Sequence, residues 1–433
     1  MLSVGPLIAG VDFQNANLGV SALGLSALAL LGPRMHAPVA AFDLKAGRRI
    51  ASPEVLRHAG VTDPDVTVTL HGFRQTRRPY AADSSILAEL TCRTGLCLGS
   101  AAAAIRNSSA VLDASGGDSF ADIYGAKRFI RVSRPKRMAL ALNRPLVLLP
   151  QTFGPYRTPR FRREAAEIVA RSTCAIARDA HSFDILKDLL GDRFDASRHL
   201  CGTDMAFRLP TIDPSAEALA VVARARECAR GEAVAGFNIS GLIANAPQSW
   251  QQYGFKDNYL ATCSKLITRL LSSGAGSIVL IPHVIGEGDA TTEVDLFASR
   301  ALVQSLAPTL RERVFIAGGY QFPTEAKAII KRLDWFSGSR LHATIGSLSN
   351  GVPTSTIAYS DKARGIFDAC GVADAVSDPR VLRGDEVVER QVQCFVERAR
   401  LGAAINAQLP KILQTVDLQM DAIVRLLAAT ARS

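Results

Sequence analysis

The stretch from Asp334 to Ala343 combines residue types that could handle a small anion. It reads as a short apolar strand, a turn of Gly and Ser, and a helix that continues from Ala343 to Leu348, with Arg340 and His342 in its first turn. Backbone N–H groups and the dipole at a helix start favour an anion. A guanidinium offers a fixed fork to carboxylate or phosphate, and an imidazole moves protons near pH 7.

These residues therefore predict a site for a small anionic substrate. The alternative is structural, with an interdomain salt bridge at Arg340 and a hydrogen-bonded core histidine at His342. The residues alone leave both interpretations open.

Length and composition indicate a folded protein of about two or three domains, since the chain has 433 residues, 48% of them hydrophobic and 21% charged. The formal net charge of +10 suits an acidic partner: nucleic acid, an anionic lipid surface, or an anionic metabolite or glycan. Because Lys and Arg are scattered, apart from a run at 157–163, and aromatics are only 6%, the composition argues against nucleic acid.

The cysteines and the N-terminal segment indicate a cytoplasmic location. The eight cysteines include no closely spaced pair of the CxxC type, and Cys92 and Cys97 have no histidine at ligand spacing. We expect reduced, mostly buried thiols and no metal site. The run before residue 18 is interrupted by polar residues and is not a signal peptide. Leu18 to Gly32 is too short to span a bilayer, so we expect at most peripheral contact with the inner membrane face.

Alternating strands and helices in two halves predict an α/β fold of two Rossmann-like, doubly wound domains facing a cleft. The predicted domains are 1–215 on the acceptor side, 216–385 on the donor side, and C-terminal helices 386–433 that pack back on the first domain. The predicted strands are Pro6–Phe13, Val39–Phe42, Val66–Leu70, Ala110–Asp113, Leu146–Leu149, Thr173–Ala177, Ala233–Ile239, Ser277–Pro282, Val314–Ala317, Leu333–Phe336 and Pro353–Ala358.

The predicted helices occupy the gaps between these strands. Thr158 and Ser182 are expected to cap two of them, and Pro159 takes the first helical position after Thr158. The principal predicted helices are Val20–Leu31, 159–171, 183–191, Asp213–Glu232, Asn258–Ser272, Glu293–Leu306, Thr324–Lys331 and Glu386–Ser433.

The loops that follow the strands hold many of the polar residues. Because ligands of such sheets bind at the carboxyl ends of the strands, we expect these loops to line the cleft. Their polar residues are Asn15, Asn17, Asp118, Gln151, Arg178, Asp179, Asn238, Ser240, His283, Arg340 and His342.

Four segments in these loops resemble the polysaccharide pyruvyl transferase family. They are Leu149–Tyr156 (LPQTFGPY), Ala177–Ser182 (ARDAHS), Ile281–His283 (IPH) and Gly338–His342 (GSRLH). Ser115–Asp118 (SGGD) and Tyr359–Lys362 (YSDK) also fit, and the order is that of the family. The family's Asn-x-Gly-Asp after the first strand is here Asn17-Leu18-Gly19-Val20, which lacks the acid and departs from the pattern on the acceptor side.

The resemblance implies a GT-B-like fold, phosphoenolpyruvate as donor, no cofactor, and a pair of sugar hydroxyls as acceptor. The sugar would belong to a cell-surface polysaccharide or its lipid-linked precursor, and the product would be a ketal. Two anionic groups on the donor require at least two cations, and ketal formation requires a general acid for the enol methylene.

With that chemistry, the residues receive the following roles. His342 is the expected general acid, and Asp118 orients or deprotonates the acceptor hydroxyl. The donor is bound by Arg340, Ser339, Arg178, His283 and Lys362, and the acceptor by Asn17, Gln151, Asn238 and Ser240.

Each role has a structural alternative. Arg178 could pair with Asp179, Asp118 could cap the Gly turn, and His283 could be a core histidine. Lys362 could be solvated, and Gln151 could only shape its loop. The run of arginines at 157–163 could meet an acidic glycan or lipid diphosphate, or form a solvated face.

Two other functions compete with pyruvyl transfer. One is a GT-B glycosyltransferase that uses a nucleotide sugar, in which Glu287 and Asp289 could bind the donor ribose. The other is a non-catalytic glycan-binding or assembly protein that keeps the fold.

Overall fold

The computed structural model describes residues 5–35, 37–63, 66–76, 78, 80–245, 249–286, 293–360 and 362–430. The chain divides into two compact units. The first lies within Met1–Phe13, Leu23–Arg208 and Gln414–Ser433, and the second within Gln14–Ala22 and Leu209–Leu413. The predicted bounds differ from this division: the first unit ends at Arg208 and not at residue 215, and the C-terminal helices are divided between both units.

The described part of the first unit contains an eight-stranded sheet in the order β3-β4-β2-β1-β5-β6-β7-β8. Only β3 is antiparallel to its neighbour, β4. The chain places β2 on one side of β1 and β5 on the other, so the strand order reverses between β1 and β5. The strands are β1 Leu7–Ala9, β2 Val39–Asp43, β3 Arg48–Ile50, β4 Val68–Gly72, β5 Val111–Asp113, β6 Leu146–Gln151, β7 Cys174–Ala177 and β8 His199–Cys201.

Helices pack against this sheet, and the central strand β6 is buried along its whole length. Helix α1 is long and apolar enough to cross a membrane by length and composition, but 72% of that stretch is buried within the protein, as in a core helix. The helices of this part of the chain are α1 Leu18–Met35, α2 Pro53–His58, α3 Ser85–Arg93, α4 Ser100–Arg106, α5 Ala126–Ala141, α6 Pro159–Arg171 and α7 Ala180–Leu190.

The second unit contains, within its described residues, a parallel six-stranded sheet in the order β11-β10-β9-β12-β13-β14. The strand order reverses between β9 and β12. The strands are β9 Ala233–Asn238, β10 Ala275–Leu280, β11 Val314–Ile316, β12 Trp335–Gly338, β13 Thr354–Ile357 and β14 Val376–Ser377. The helices are α8 Ala216–Ala229, α9 Gly241–Ala244, α10 Ser249–Gln252, α11 Tyr259–Ser272, α12 Asp295–Ser305, α13 Pro308–Arg311, α14 Pro323–Ile330, α15 Leu341–Leu348, α16 Lys362–Ala369, α17 Gly384–Val396 and α18 Arg398–Thr430.

The predicted α/β fold with two doubly wound sheets is confirmed, and a strand is present at every predicted position. Strands β3, β8 and β14 were not predicted. The cap of α7 was predicted wrongly: Asp179 holds the N-cap, and its carboxylate accepts a hydrogen bond from the Ser182 N–H at 2.7 Å. The helical segment predicted over 386–433 is present as α17 and α18, and α17 begins at Gly384.

Candidate functional site

The candidate site of the second unit lies where its strand order reverses, at the carboxyl ends of β9 and β12. Such switch points are where doubly wound sheets bind ligands. The Ser339 N–H donates to the Asn238 carbonyl at 3.1 Å, and the Arg340 N–H donates to Asn238 Oδ1 at 3.0 Å. Arg340 is the N-cap residue of α15, which confirms the predicted strand, turn and helix. Asn238 therefore joins the end of β9 to the start of α15.

Asp295, at the start of α12, connects these loops to the loop after β10. Its Oδ1 accepts from the Gly241 N–H at 2.9 Å and from Arg340 Nη2 at 2.9 Å. Its Oδ2 accepts from the His283 N–H at 2.9 Å and from Asn238 Nδ2 at 3.1 Å. The carboxylate is fully buried. One buried anion thus fixes the ends of three adjacent strands.

Arg340 pairs with Asp295 inside the second unit, so its salt bridge is not interdomain. Burial opposes the charge on the guanidinium, but Asp295 more than offsets this, and the pKa of Arg340 is raised above its usual value. Nε and Nη2 both contact Asp295, and Nη2 also donates to the Glu293 carbonyl at 2.9 Å. Nη1 lies 3.9 Å from the Glu293 carboxylate. Asp295 therefore occupies most of the hydrogen-bonding capacity of the Arg340 guanidinium.

His283 is buried at 3% exposure beside Arg340 and His342. Within the described residues, neither of its ring nitrogens has a hydrogen-bond partner. Burial, with the charges of His342 and Arg340, lowers the pKa of His283 to about 3. The ring is consequently neutral near pH 7, and its two nitrogens lie in the site without a hydrogen-bond partner among the described residues.

His342 lies half-buried in the first turn of α15, against the loop that leads into α1. A Cβ atom on Gly19 would be 2.6 Å from His342 Nδ1. The same loop is tied to the end of β10, because the Leu18 N–H donates to the His283 carbonyl at 3.0 Å and Asn17 pairs with Val284. The structure thus brings the predicted residues Asn17, His283 and His342 together.

Tyr259 connects two further predicted residues. Its hydroxyl accepts from the Ser240 N–H at 3.0 Å and donates to Ser339 Oγ at 2.8 Å. Ser240 Oγ is buried and has no hydrogen-bond partner among the described residues. Lys362 lies half-buried at the start of α16, after β13.

Asp118, Gln151 and Arg178 belong to the first unit, at the ends of the neighbouring strands β5, β6 and β7. Asp118 accepts from the Tyr124 hydroxyl at 2.8 Å, and Gln151 Nε2 donates to the Asp113 carbonyl at 3.2 Å. The Arg178 N–H donates to the Gln151 carbonyl at 3.1 Å.

The buried side chain of Arg178 forms an ion pair at 3.0 Å. The partner is Asp204, not Asp179 as the structural alternative expected. The structure therefore gathers the predicted residues other than Lys362 into one cluster in each unit.

A buried ion pair supports the Ser115–Asp118 turn of the first unit. Lys136 Nζ lies 2.7 Å from Asp113 Oδ1 and 2.7 Å from Ser115 Oγ, and neither the lysine nor the aspartate is exposed. Burial lowers the pKa of Lys136, against the attraction of Asp113. Ser115 and Gly116 have φ of 51° and 59°, a left-handed conformation that the ion pair helps to hold.

Sequence reasoning missed Asp295, Tyr259, Asp113 and Lys136. An acid in the first turn of a helix is common because it complements the dipole. The position of Asp295 in the sequence therefore did not mark it as a site residue. Lys136 could have been recognised, because it lies seven residues after Phe129, on the same buried side of α5. Among the described residues, no group of three or more His, Cys, Asp or Glu could hold a metal ion.

Comparisons with known proteins agree with the fold described above. The solved structures that match have the GT-B fold. A trehalose-phosphate synthase from Burkholderia vietnamiensis matches with a TM-score of 0.57 and 11% identity, over 99% of each chain. HepE from Anabaena, solved with UDP-glucose, matches with a TM-score of 0.55 and 13% identity, over 99% of each chain. These identities establish the fold alone.

Sequence relatives identify the family. The amylovoran biosynthesis protein AmsJ of Erwinia amylovora is 22% identical over 316 residues, which cover 68% of this chain and 71% of that protein. The sequence profile of the polysaccharide pyruvyl transferases matches residues 49–361, which include the cluster of the first unit and, except for Asn17, that of the second. This chain belongs to the polysaccharide pyruvyl transferase family.

Proposed function

We propose that the enzyme transfers pyruvate from phosphoenolpyruvate to a sugar of a cell-surface polysaccharide or its lipid-linked precursor and forms a ketal. The observation that carries the proposal is the start of α15, where backbone N–H groups, Arg340 and His342 meet the neutral ring of His283. A helix start favours an anion such as phosphate or carboxylate. The similarity to an amylovoran biosynthesis protein supports a polysaccharide acceptor.

Arg340 binds the donor with only part of its guanidinium in this proposal. Asp295 occupies Nε and Nη2, so Nη1 is the group that faces a ligand. The N–H groups of the first turn of α15 and the Ser339 side chain supply the remaining donors, and His283 and Lys362 adjoin the site. Arg178, which the sequence indicated as a second cation, belongs to the first unit, where its Nη1 pairs with Asp204.

The reaction begins with proton transfer from His342 to the enol methylene, which leaves an oxocarbenium-like carbon. One sugar hydroxyl adds to that carbon and loses its proton to a base. The C–O bond to phosphate breaks and phosphate departs, and a second hydroxyl then closes the ketal ring and gives its proton to the departing phosphate. Such acid–base help contributes roughly 10²–10⁴-fold to the rate.

The acceptor is assigned to Asp118, Gln151, Asn17, Asn238 and Ser240. Asn238 and Ser240 already hold α15 through Arg340 and Tyr259, so their part in acceptor binding is the least direct. We propose that the reaction uses no cofactor. Six of the eight cysteines are buried and all eight are free thiols, as suits a reducing cytoplasm.

The test is incubation with phosphoenolpyruvate and pyruvylatable saccharides, with phosphate release measured and the ketal identified by NMR. We expect phosphate and ketal in equal amounts. Absence of turnover with any acceptor, together with absence of donor binding, would contradict the proposal.

A nucleotide-sugar glycosyltransferase is the alternative, and HepE was solved with UDP-glucose on the same fold. Glu287 and Asp289, the residues expected to serve that function, lie outside the described residues. Thermal stabilisation by a nucleoside diphosphate but not by phosphoenolpyruvate would favour the alternative. The pyruvyl transferase predicts the opposite result.

A further inference from the structure

Large apolar side chains that face solvent are concentrated in one part of the first unit. Leu44, Tyr80, Leu90, Leu96 and Leu98 are each more than half exposed. They lie on α3 and on three loops, at 44–47, 73–84 and 94–99. Exposed apolar residues that cluster mark an interaction surface, whereas scattered ones do not.

Backbone contacts place the three loops side by side. A Cβ atom at Gly72 would lie 2.8 Å from the Lys45 carbonyl and 3.2 Å from Asp83 Cβ, so the first loop touches the second. A Cβ atom at Gly99 would collide with the Ala82 carbonyl, so the second loop touches the third. The Leu98 N–H donates to Thr91 Oγ1 at 3.0 Å, which holds the third loop against α3 beside Leu90.

The charges among these apolar residues are mainly positive. Asp83, the one acid of the three loops among their described residues, pairs with Arg74. Lys45, Arg48 and Arg78 are exposed, and no ion pair joins them to the described residues.

Acids that border the surface are likewise neutralised, since Asp43 pairs with Arg49 and Glu89 lies among three arginines. The surface therefore combines exposed apolar side chains with neighbouring positive charges that no acid compensates among the described residues.

We propose that this loop surface docks the enzyme on an anionic lipid bilayer. Leucine and tyrosine side chains that enter the headgroup region, with lysine and arginine beside them, are the combination that anionic membranes bind. A neutral protein partner would use the apolar residues but would gain nothing from the unpaired cations. The inference concerns attachment and does not depend on the donor or the chemistry at α15.

The test is flotation of the full chain with vesicles of equal parts phosphatidylglycerol and phosphatidylcholine, and with vesicles of phosphatidylcholine alone. We expect binding to the anionic vesicles only, and its loss in about 1 M salt, where the Debye length is about 3 Å. Leu96→Glu/Leu98→Glu should bind roughly tenfold more weakly, because partitioning follows the apolar area buried plus the attraction to anionic lipids. Lys45→Glu/Arg78→Glu should bind more weakly and with less dependence on salt.

Val381→Glu, at an exposed apolar residue of the second unit, is the matched control and should bind like wild type. The Leu96→Glu/Leu98→Glu enzyme should keep its thermal melting temperature and its turnover with a water-soluble saccharide. Failure of the wild type to float with anionic vesicles would overturn the proposal. Equal binding by wild type and both double variants, or dissociation of a wild-type dimer by the leucine changes in light scattering, would also overturn it.

Discussion

At the scale of single residues, Asp295 holds the candidate site of the second unit together. Its carboxylate accepts hydrogen bonds from Arg340, from Asn238 and from three backbone N–H groups. Removal of one member of a buried ion pair leaves the other charge uncompensated, at a cost of about 3–5 kcal/mol. Asp295→Asn should therefore lower the free energy of unfolding by about that amount. It should also raise the KM for the donor, since Arg340 and the start of α15 lose their common anchor.

Asp385→Asn is the matched control, since Asp385 pairs with Lys265 on the surface. Loss of such an exposed pair should hardly change the free energy of unfolding, because solvent screens it. The measurement is urea unfolding of the three proteins. If Asp295→Asn were no less stable than Asp385→Asn, the anchoring role would be wrong.

His283 predicts a dependence of stability on pH. The unfolded chain protonates this imidazole below about pH 6.5, whereas the folded protein resists protonation until the pH approaches the folded-state pKa of about 3. Between these values the unfolded state binds more protons. The free energy of unfolding therefore falls as the pH decreases, by about 1.4 kcal/mol per pH unit.

His283→Gln removes this titratable group. As the pH falls from 6 to 4, the free energy of unfolding of the variant should therefore decrease less than that of the wild type. His181→Gln, at an exposed histidine, is the control and should follow the wild type. Parallel pH profiles for wild type and His283→Gln would show that His283 is not buried as a neutral ring.

His342 predicts a loss of catalysis without a loss of folding. If it protonates the donor, His342→Asn should reduce turnover by roughly 10²–10⁴-fold with an almost unchanged melting temperature, because the side chain is only half-buried. The measurement is phosphate release beside a thermal melt, with His181→Asn as control. Turnover within about twofold of wild type would exclude His342 as the general acid.

At the scale of elements, the start of α1 positions the start of α15. A Cβ atom at Gly19 would approach His342 Nδ1 to 2.6 Å, which is closer than such contacts normally occur. Gly19→Ala should consequently displace the imidazole and lower turnover at least about tenfold, since misplacement of a catalytic group by ~1 Å costs up to about 10²-fold.

Gly32→Ala is the control in the same helix, because its Cβ would meet Leu28 Cδ1 at an ordinary 3.7 Å. It should leave turnover unchanged, and stability equal or slightly higher, because alanine favours the helix. The comparison of phosphate release by the two variants is the measurement. Equal turnover in Gly19→Ala and Gly32→Ala would mean that α1 does not position His342.

The strands that the sequence predicted are those with an unmistakable local pattern. Buried parallel strands such as β6 and β10 are continuous apolar runs, so their position follows from composition. Strands β3, β8 and β14 are two or three residues long. They exist because a neighbouring strand offers hydrogen bonds, and this information is not local. The Ser182 cap was wrong for a local reason, because Asp179, three residues earlier, caps the helix instead.

The sequence could predict those site residues that come directly after a predicted strand. Asn238, His283 and Arg340 were found in this way, and the structure joins them. Their connection through Asp295 was not predictable, because Asp295 reaches them from a helix start 45 residues before Arg340 in the chain. Pairing across such a distance is decided by the tertiary fold, and no local pattern records it.

At the scale of the whole molecule, the chain repeats one arrangement, a doubly wound sheet with polar loops at its switch point, in two compact units. The sequence predicted this repetition but not that the start of α1 belongs to the second unit. Leu18 belongs to the hydrophobic core of the second unit, although α1 otherwise continues in the first. Helical periodicity identifies a buried face but not the core that buries it.

Donor binding at the start of α15 in the second unit can be tested by a crystal structure of the enzyme with phosphoenolpyruvate. We expect an anionic group of the donor within about 3 Å of the first-turn N–H groups of α15, with Arg340 Nη1 beside it and the enol methylene facing His342. Donor density elsewhere, with His342 and Arg340 away from it, would show that the site has been placed wrongly.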